Sequence, residues 1–229
     1  MDATIIREWI LLIPVILIAL TFHEFAHALT ATYLGDNTAK QMNRLTLNPL
    51  AHLDPIGTLL LFVAHFGWAK PVPVNPYNFR NPTKDMGIVA IAGPGSNLLQ
   101  AVIFGIIIRI FFAIGSVPGA SFGQFVIAFS ILALQINLAL CFFNLLPIFP
   151  LDGSRILRWV LPPRYHNNIE WLERYGPIIL IMVFAFEWVV NVPVFSYILF
   201  IPIKIATNII TGMPSSTLMY LYRSALYGG

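Results

Sequence analysis

Residues 9–34 read WILLIPVILIALTFHEFAHALTATYL, an apolar run that carries two histidines and one glutamate toward its end. At about 1.5 Å of rise per residue, a helix over Trp9–Leu34 is long enough to cross a hydrocarbon core of about 30 Å. Gly35 supplies a natural helix stop, and Asp36-Asn37 begins a polar loop. The stretch therefore predicts a membrane-spanning helix with ionisable side chains inside the bilayer.

The composition of the whole chain agrees with a membrane location. Of 229 residues, 58% are hydrophobic and 10% are charged, against about 25% charged residues in a typical soluble domain. Further long apolar runs follow the first, so we predict an all-α polytopic membrane protein with about five to six transmembrane helices. The acidic residues Asp2 and Glu8 beside Arg7 argue against a cleaved signal peptide, so the first helix is expected to be retained.

The remaining segments differ in length and in composition. The segment Ile56–Trp68 has thirteen residues, which suits a re-entrant or interfacial segment better than a crossing. The rest comprises an extended loop at Val72–Pro82, a second long run at Met86–Ile114 interrupted near Gly93-Pro94-Gly95, a third at Phe122–Leu146, an amphipathic stretch at Ser154–Leu161, and two closing helices at Pro177–Asn191 and Val194–Ile210. We predict a single domain over residues 1–229, with a core at 9–161 and closing helices within 177–210.

The distribution of basic residues tests this topology. If Ile56–Trp68 turns back instead of crossing, one face of the membrane collects ten basic residues and the other keeps only Arg7. Cytoplasmic loops carry an excess of Lys and Arg, so we expect a multi-pass protein of the cell membrane with the ten-residue face in the cytoplasm. These ten are Lys40, Arg44, Lys70, Arg80, Lys84, Arg155, Arg158, Arg164, Arg174 and Arg223.

Metal chemistry is indicated by His23-Glu24-Phe25-Ala26-His27. Histidines at positions i and i+4 share one helix face and can bind one metal ion, and the glutamate between them can act as a general base. Three ionisable groups in a membrane helix are costly, and a bound metal in a water-filled cavity would compensate them. The alternative is a His/Glu cluster that faces a polar channel or hydrogen-bonds in a bundle core.

Asp152 is the best candidate for a third ligand, because catalytic zinc usually keeps three protein ligands. It follows Pro147 and Pro150, which break the third helix, and irregular backbone at membrane depth is tolerated where it lines a cavity. The alternative is an aspartate that caps the next helix at the membrane surface. Depth favours the ligand, because His23, His27 and Asp152 reach the same side of the membrane only if Ile56–Trp68 turns back.

Three ordered motifs resemble those of the site-2 protease family of intramembrane zinc metalloproteases. They are His23-Glu24-x-x-His27, Gly93-Pro94-Gly95-Ser96-Asn97 and Asn144-x-x-Pro147-x-x-Pro150-Leu151-Asp152-Gly153, and the stretch from Phe66 to Asn75 is similar to a loop of that family. The resemblance covers roughly Leu17 to Leu161.

The resemblance implies one Zn²⁺ per chain, bound by His23, His27 and Asp152, with Glu24 activating the hydrolytic water. It implies that Asn97 and Asn144 hold the substrate backbone near the metal and that the closing helices gate a transmembrane-protein substrate. Ser154 departs from the family pattern, which has glycine at that position. No regulatory PDZ or CBS module is expected in this chain, and no helix before the motif-bearing one.

The predicted function is therefore zinc-dependent intramembrane proteolysis. The alternative is a membrane transporter or metal channel that uses a His/Glu site. The expected partners are the lipid bilayer and a transmembrane substrate. A net charge of +3 without a basic, aromatic-rich patch argues against nucleic acid. The single residue Cys141 argues against a disulfide framework. The oligomeric state is left open, a homo-oligomer included.

Overall fold

The computed structural model describes residues 3–64, 67–114 and 121–227. Within these ranges the chain is helical, and the sole strand-like pairing is an antiparallel bridge between Leu53 and Ala69. The α-helices are α1 (Ala3–Tyr33), α2 (Thr38–Gln41), α3 (Pro55–Ala64), α4 (Pro82–Ala113), α5 (Ser121–Asn144), α6 (Asp152–Val160), α7 (His166–Val190), α8 (Val194–Thr211) and α9 (Ser215–Tyr227). The predicted all-α fold is confirmed.

Four helices in the described ranges are long and apolar enough to cross a membrane, fewer than the five to six expected. They are Ile6–Tyr33, Pro82–Ala113, Phe122–Asn144 and Val194–Thr211. The predicted closing helix at Pro177–Asn191 is present as the second half of α7. It does not reach the required length of apolar sequence, because the first half of α7 carries Glu170, Glu173 and Arg174. The chain is a polytopic membrane protein.

The predicted turn-back after the first helix is present. Helix α3 has ten residues, about half the length needed to span the hydrocarbon core. The bridge between Leu53 and Ala69, with the N–H of Lys70 donating to His52 O at 2.9 Å, brings the two ends of the segment together. Residues 65 and 66, which belong to the predicted segment Ile56–Trp68, lie outside the described residues.

Helix α4 corrects one expectation, because it runs without a break through Gly93-Pro94-Gly95. Proline removes one backbone N–H and disturbs the preceding turn, but the helix continues on both sides of Pro94. Helix α4 also begins four residues earlier than predicted, at Pro82, which suits a first helical turn. Just ahead of it, the backbone N–H of Asn81 donates to Asp85 Oδ2 at 3.0 Å.

The chain folds as two compact units. The first comprises Met1–Ala19, Asn97–Phe142 and Phe195–Gly229. Its core is a cluster of buried aliphatic side chains from α4, α5 and α9: Ala101, Ile108, Ile127, Ile131, Leu134, Leu138 and Leu218. Polar contacts tie the helices of this unit together, including Gln135 Nε2 to Thr207 Oγ1 at 3.2 Å and Arg7 to the carbonyl of Leu226 at 3.1 Å.

The second unit comprises Leu20–Ser96 and Phe143–Val194 and holds all three predicted metal ligands. Gly35 ends α1 with a positive φ of 110°, and the N–H of Asp36 bonds back to Ala31 O at 2.9 Å, as predicted for a glycine helix stop. Ala31, Phe79 and Val89 form a small apolar cluster against this helix end. Helix α1 is therefore held firmly just beyond its histidines.

Asp36 is the polar anchor of this unit. Its side chain is fully buried, and its carboxylate accepts from the N–H and hydroxyl of Thr38, from Asn78 Nδ2 at 2.7 Å and from the N–H of Asn75 at 2.8 Å. Burial alone would raise the pKa of Asp36, but these hydrogen bonds from Thr38, Asn78 and Asn75 lower the pKa below its usual value. The ionised carboxylate is thus part of the folded structure.

We expect Asp36→Ala to lower the free energy of unfolding by about 2–4 kcal/mol, because it leaves buried donors without an acceptor. Unfolding in mixed micelles measures this, and Asn37→Ala, at an exposed neighbour whose side chain caps no helix, should cost less than about 0.5 kcal/mol. Because the folded pKa is lowered, the contribution of Asp36 is complete above pH 3.8 and is lost as the pH falls further. A gap between wild type and variant that widened below that pH would contradict this assignment.

Candidate metal centre

Two imidazoles and one carboxylate converge in the second unit. His23 Nε2 lies 3.0 Å from His27 Nε2, and Asp152 Oδ2 lies 3.3 Å from each of these nitrogens. The ligand atoms of the three residues all lie within 4.8 Å of one another. Both histidines are buried, at 5% and 8% exposure. Asp152, which is 125 or more positions from both histidines in the sequence, thus lies beside them.

The three distances fit a tetrahedral zinc site. Zinc binds histidine nitrogen and carboxylate oxygen at about 2.0–2.2 Å, so two ligand atoms of a tetrahedron lie about 3.3 Å apart. The observed separations of 3.0, 3.3 and 3.3 Å agree with this value. Asp152 Oδ2 is buried and makes no hydrogen bond, and such an atom needs an explanation. A cation between the three ligands provides one.

The second nitrogen of His27 is fixed by α4. Its Nδ1 lies 2.7 Å from the carbonyl oxygen of Val89. A carbonyl can only accept, so Nδ1 carries a proton, and in the neutral ring Nε2 then presents a lone pair toward His23 and Asp152. Carbonyl partners of this kind orient histidine ligands in metal sites.

A glycine on α4 makes room for both rings. A Cβ atom at Gly93 would collide with His27 Nε2 and would lie 2.6 Å from His23 Cε1. Glycine therefore permits α4 to approach the two histidines more closely than any other residue could. Gly93 lies in one of the predicted motifs, but this role was not predicted; a glycine inside an apolar helix can signal such a close approach.

The break between α5 and α6 places Asp152 beside the two histidines. Helix α5 ends at Asn144, residues 145–151 form turns, and Asp152 is the first residue of α6. The capping alternative is not supported, because Leu151 is the N-cap residue and has no side-chain cap bond, while the Asp152 carboxylate points at the histidines. Ser154, the departure from the family pattern, is buried, and its hydroxyl donates to Leu151 O at 2.8 Å. It therefore stabilises the start of this helix.

The carboxylate of Asp152 is held against both rings in a largely buried position, with a side chain that is 13% exposed. An ionised carboxylate is the form that binds a metal.

Glu24 is buried at 7% exposure beside the histidines in α1. Its Oε2 accepts a hydrogen bond from the backbone N–H of Val72 at 2.9 Å. This contact was not predicted. It places the Lys70–Asn75 segment against the residue that the sequence nominates as general base.

Asn97 and Asn144 lie in different surroundings. Asn97 is fully buried in the first unit, where its Nδ2 donates to Asn137 Oδ1 at 2.9 Å and to Ala19 O at 3.2 Å. Sequence reasoning missed Asn137, although an asparagine within an apolar run is itself a signal. Asn144 is the half-buried last residue of α5 in the second unit. A role of either residue in holding substrate stays a prediction.

A membrane-embedded helix bundle that carries His-Glu-x-x-His and an aspartate in one buried cluster defines a metallohydrolase site. Comparison with known proteins makes this more specific. The model of peptidase family M50 matches residues 110–186. A Bacillus subtilis protein named "Putative zinc metalloprotease YwhC" is 42% identical over 188 residues, 82% of this chain and 83% of the relative.

Two mycobacterial relatives are named "Putative zinc metalloprotease Rip2". The protein of Mycolicibacterium smegmatis is 31% identical over 76% of this chain and 66% of its own length. The protein of Mycobacterium tuberculosis H37Rv is 31% identical over 73% of this chain and 64% of its own length. No solved structure matches the chain. The chain belongs to peptidase family M50, the site-2 protease family. It is a zinc metalloprotease, which sets aside the transporter alternative.

We expect Gly93→Ala to weaken zinc binding at least tenfold, because the new methyl group occupies space taken by His27 and His23. The matched control is Gly95→Ala, two residues along the same helix, where an added Cβ meets no atom within 4 Å. Competition with a fluorescent zinc chelator measures both affinities. Equal affinities in the two variants would contradict the close approach of α4 to the histidines.

Proposed function

We propose that this zinc metalloprotease hydrolyses peptide bonds within or next to transmembrane helices of membrane-protein substrates. The observation that carries the proposal is the buried cluster of His23, His27 and Asp152, two of which lie in the membrane-spanning segment Ile6–Tyr33. A catalytic cluster in a spanning helix suits a substrate that itself resides in the bilayer. The excess of basic residues in the loops supports a cell-membrane location with the site near the cytoplasmic side.

In this proposal one zinc ion per chain is held by His23, His27 and Asp152. When bound, zinc supplies the Lewis acidity that polarises the scissile carbonyl and lowers the pKa of water. Glu24 takes a proton from the attacking water and returns it to the amine nitrogen that leaves. The Val89 carbonyl keeps His27 in the tautomer that binds metal.

The substrate also has to be unwound, because a helix hides its carbonyls in hydrogen bonds. We propose that the extended segment Val72–Asn75 pairs with the unwound stretch in the manner of a strand. Two features support this role. Asn75 has extended backbone angles of −104° and 107°, and within the described chain the N–H of Val74 makes no hydrogen bond. That donor is available to a peptide carbonyl.

We expect Glu24→Gln to keep one zinc per chain and to lose cleavage by at least about 100-fold, because a neutral amide cannot take the proton. Asp152→Ala should lose both zinc and cleavage, because two protein ligands remain where catalytic zinc usually has three. Zinc is measured by atomic emission, and cleavage with a transmembrane substrate reconstituted in the same liposomes.

The control for the charge change is Glu170→Gln, at a carboxylate whose side chain is 62% exposed. It should retain both zinc and activity. Undiminished cleavage by Glu24→Gln, or full zinc content in Asp152→Ala, would refute the corresponding assignment.

A further inference from the structure

The segment Lys70-Pro71-Val72-Pro73 offers one backbone donor at its centre. Proline has no N–H, so Val72 carries the sole amide hydrogen between residues 71 and 73. Proline also fixes its own φ and restricts the preceding residue to extended conformations. The Val72 N–H is therefore isolated in a stiff, extended stretch, whatever the rest of the loop does.

This single donor is bonded to Glu24. The Val72 nitrogen lies 2.9 Å from Glu24 Oε2, across 48 residues of sequence. The other carboxylate oxygen, Oε1, makes no hydrogen bond within the described residues. One oxygen is thus held, and the other is left to exchange a proton.

The segment is anchored on both sides of Val72. The N–H of Lys70 donates to His52 O at 2.9 Å, and its carbonyl accepts from Arg44 Nη2 at 2.7 Å. Asn75 donates to the buried carboxylate of Asp36 at 2.8 Å. These bonds hold the segment at both ends, so that the Val72 N–H has a fixed position relative to α1.

We propose that Val72 is a positioning residue, whose backbone N–H orients the carboxylate of Glu24 for proton transfer. The proposal rests on the proposed function of Glu24 as general base. The strand-like segment then has two tasks: Val72 orients the base, and Val74 pairs with the substrate. Hydrogen bonds to ionised groups are the strong ones in proteins, so this one can hold the carboxylate in one orientation.

Substitution by proline removes the donor and keeps the extended backbone. We expect Val72→Pro to lower kcat by about 10- to 100-fold, the loss of one charge-assisted hydrogen bond, with KM changed by less than about threefold. Val72→Ala keeps the N–H, and its kcat should exceed that of Val72→Pro at least tenfold. Val74→Pro, the matched substitution in the same segment, should raise KM and spare kcat, because it removes the proposed substrate donor.

A second measurement reads the contact without activity. In protein labelled with ¹⁵N-valine, the Val72 amide resonance is identified by its loss in Val72→Pro. Its proton signal should move upfield in Glu24→Ala, where the acceptor is gone, while the Val74 resonance stays in place.

The outcomes separate this inference from the proposed function. An unmoved Val72 resonance in Glu24→Ala, or equal kcat in Val72→Pro and Val72→Ala, would overturn the positioning role. A wild type that binds zinc but cuts no membrane-protein substrate would refute the proposed function, and the resonance shift would still decide whether Val72 holds Glu24.

Discussion

The contact on which this structure depends is the meeting of His23, His27 and Asp152 within 4.8 Å. Buried ionisable groups are costly unless they are paired or bound to a metal. A buried carboxylate oxygen without a hydrogen bond, lying 3.3 Å from two imidazole nitrogens, would add to that cost. One divalent cation resolves the arrangement, because all three groups are ligands that zinc accepts.

The backbone around the cluster is shaped to allow this contact. Gly93 removes the side chain that would separate α4 from the histidine rings. The turns at residues 145–151 end one helix and begin another at Asp152. Gly153 follows because a Cβ there would collide with the carbonyls of Leu145 and Leu146. The main chain folds back on itself at these turns, which a continuous helix could not do, and this brings the Asp152 carboxylate to the histidines.

The sequence predicted those features that follow from local patterns. Histidines at i and i+4 must share a helix face, and thirteen apolar residues are too few to cross a membrane. The course of α4 was harder to predict, because a proline inside a long helix is tolerated when the rest of that helix is hydrogen-bonded. The expected break at Gly93-Pro94-Gly95 was wrong for this reason.

Contacts between distant segments were beyond local patterns. Nothing near Val89 marks its carbonyl as the partner of His27, because every residue has a carbonyl and only the packing of α4 against α1 selects this one. The same holds for the Val72 N–H and Glu24. Gly93 and Asn137 were visible in the sequence, but their partners were not. A sequence shows which groups can donate or accept a hydrogen bond, whereas only the folded structure shows which of them are paired.

Hydrogen bonding of backbone N–H groups links the metal centre to the loop at residues 70–75. An extended segment has N–H groups without helical partners, and each one that is buried and left unpaired is costly. Prolines at 71 and 73 remove two such donors, Glu24 accepts the third from Val72, and Asp36 accepts the one from Asn75. Only Val74 in this stretch keeps a donor without an acceptor among the described residues. In the proposed function, the amide of Val74 bonds an unwound substrate and the amide of Val72 orients the carboxylate of Glu24.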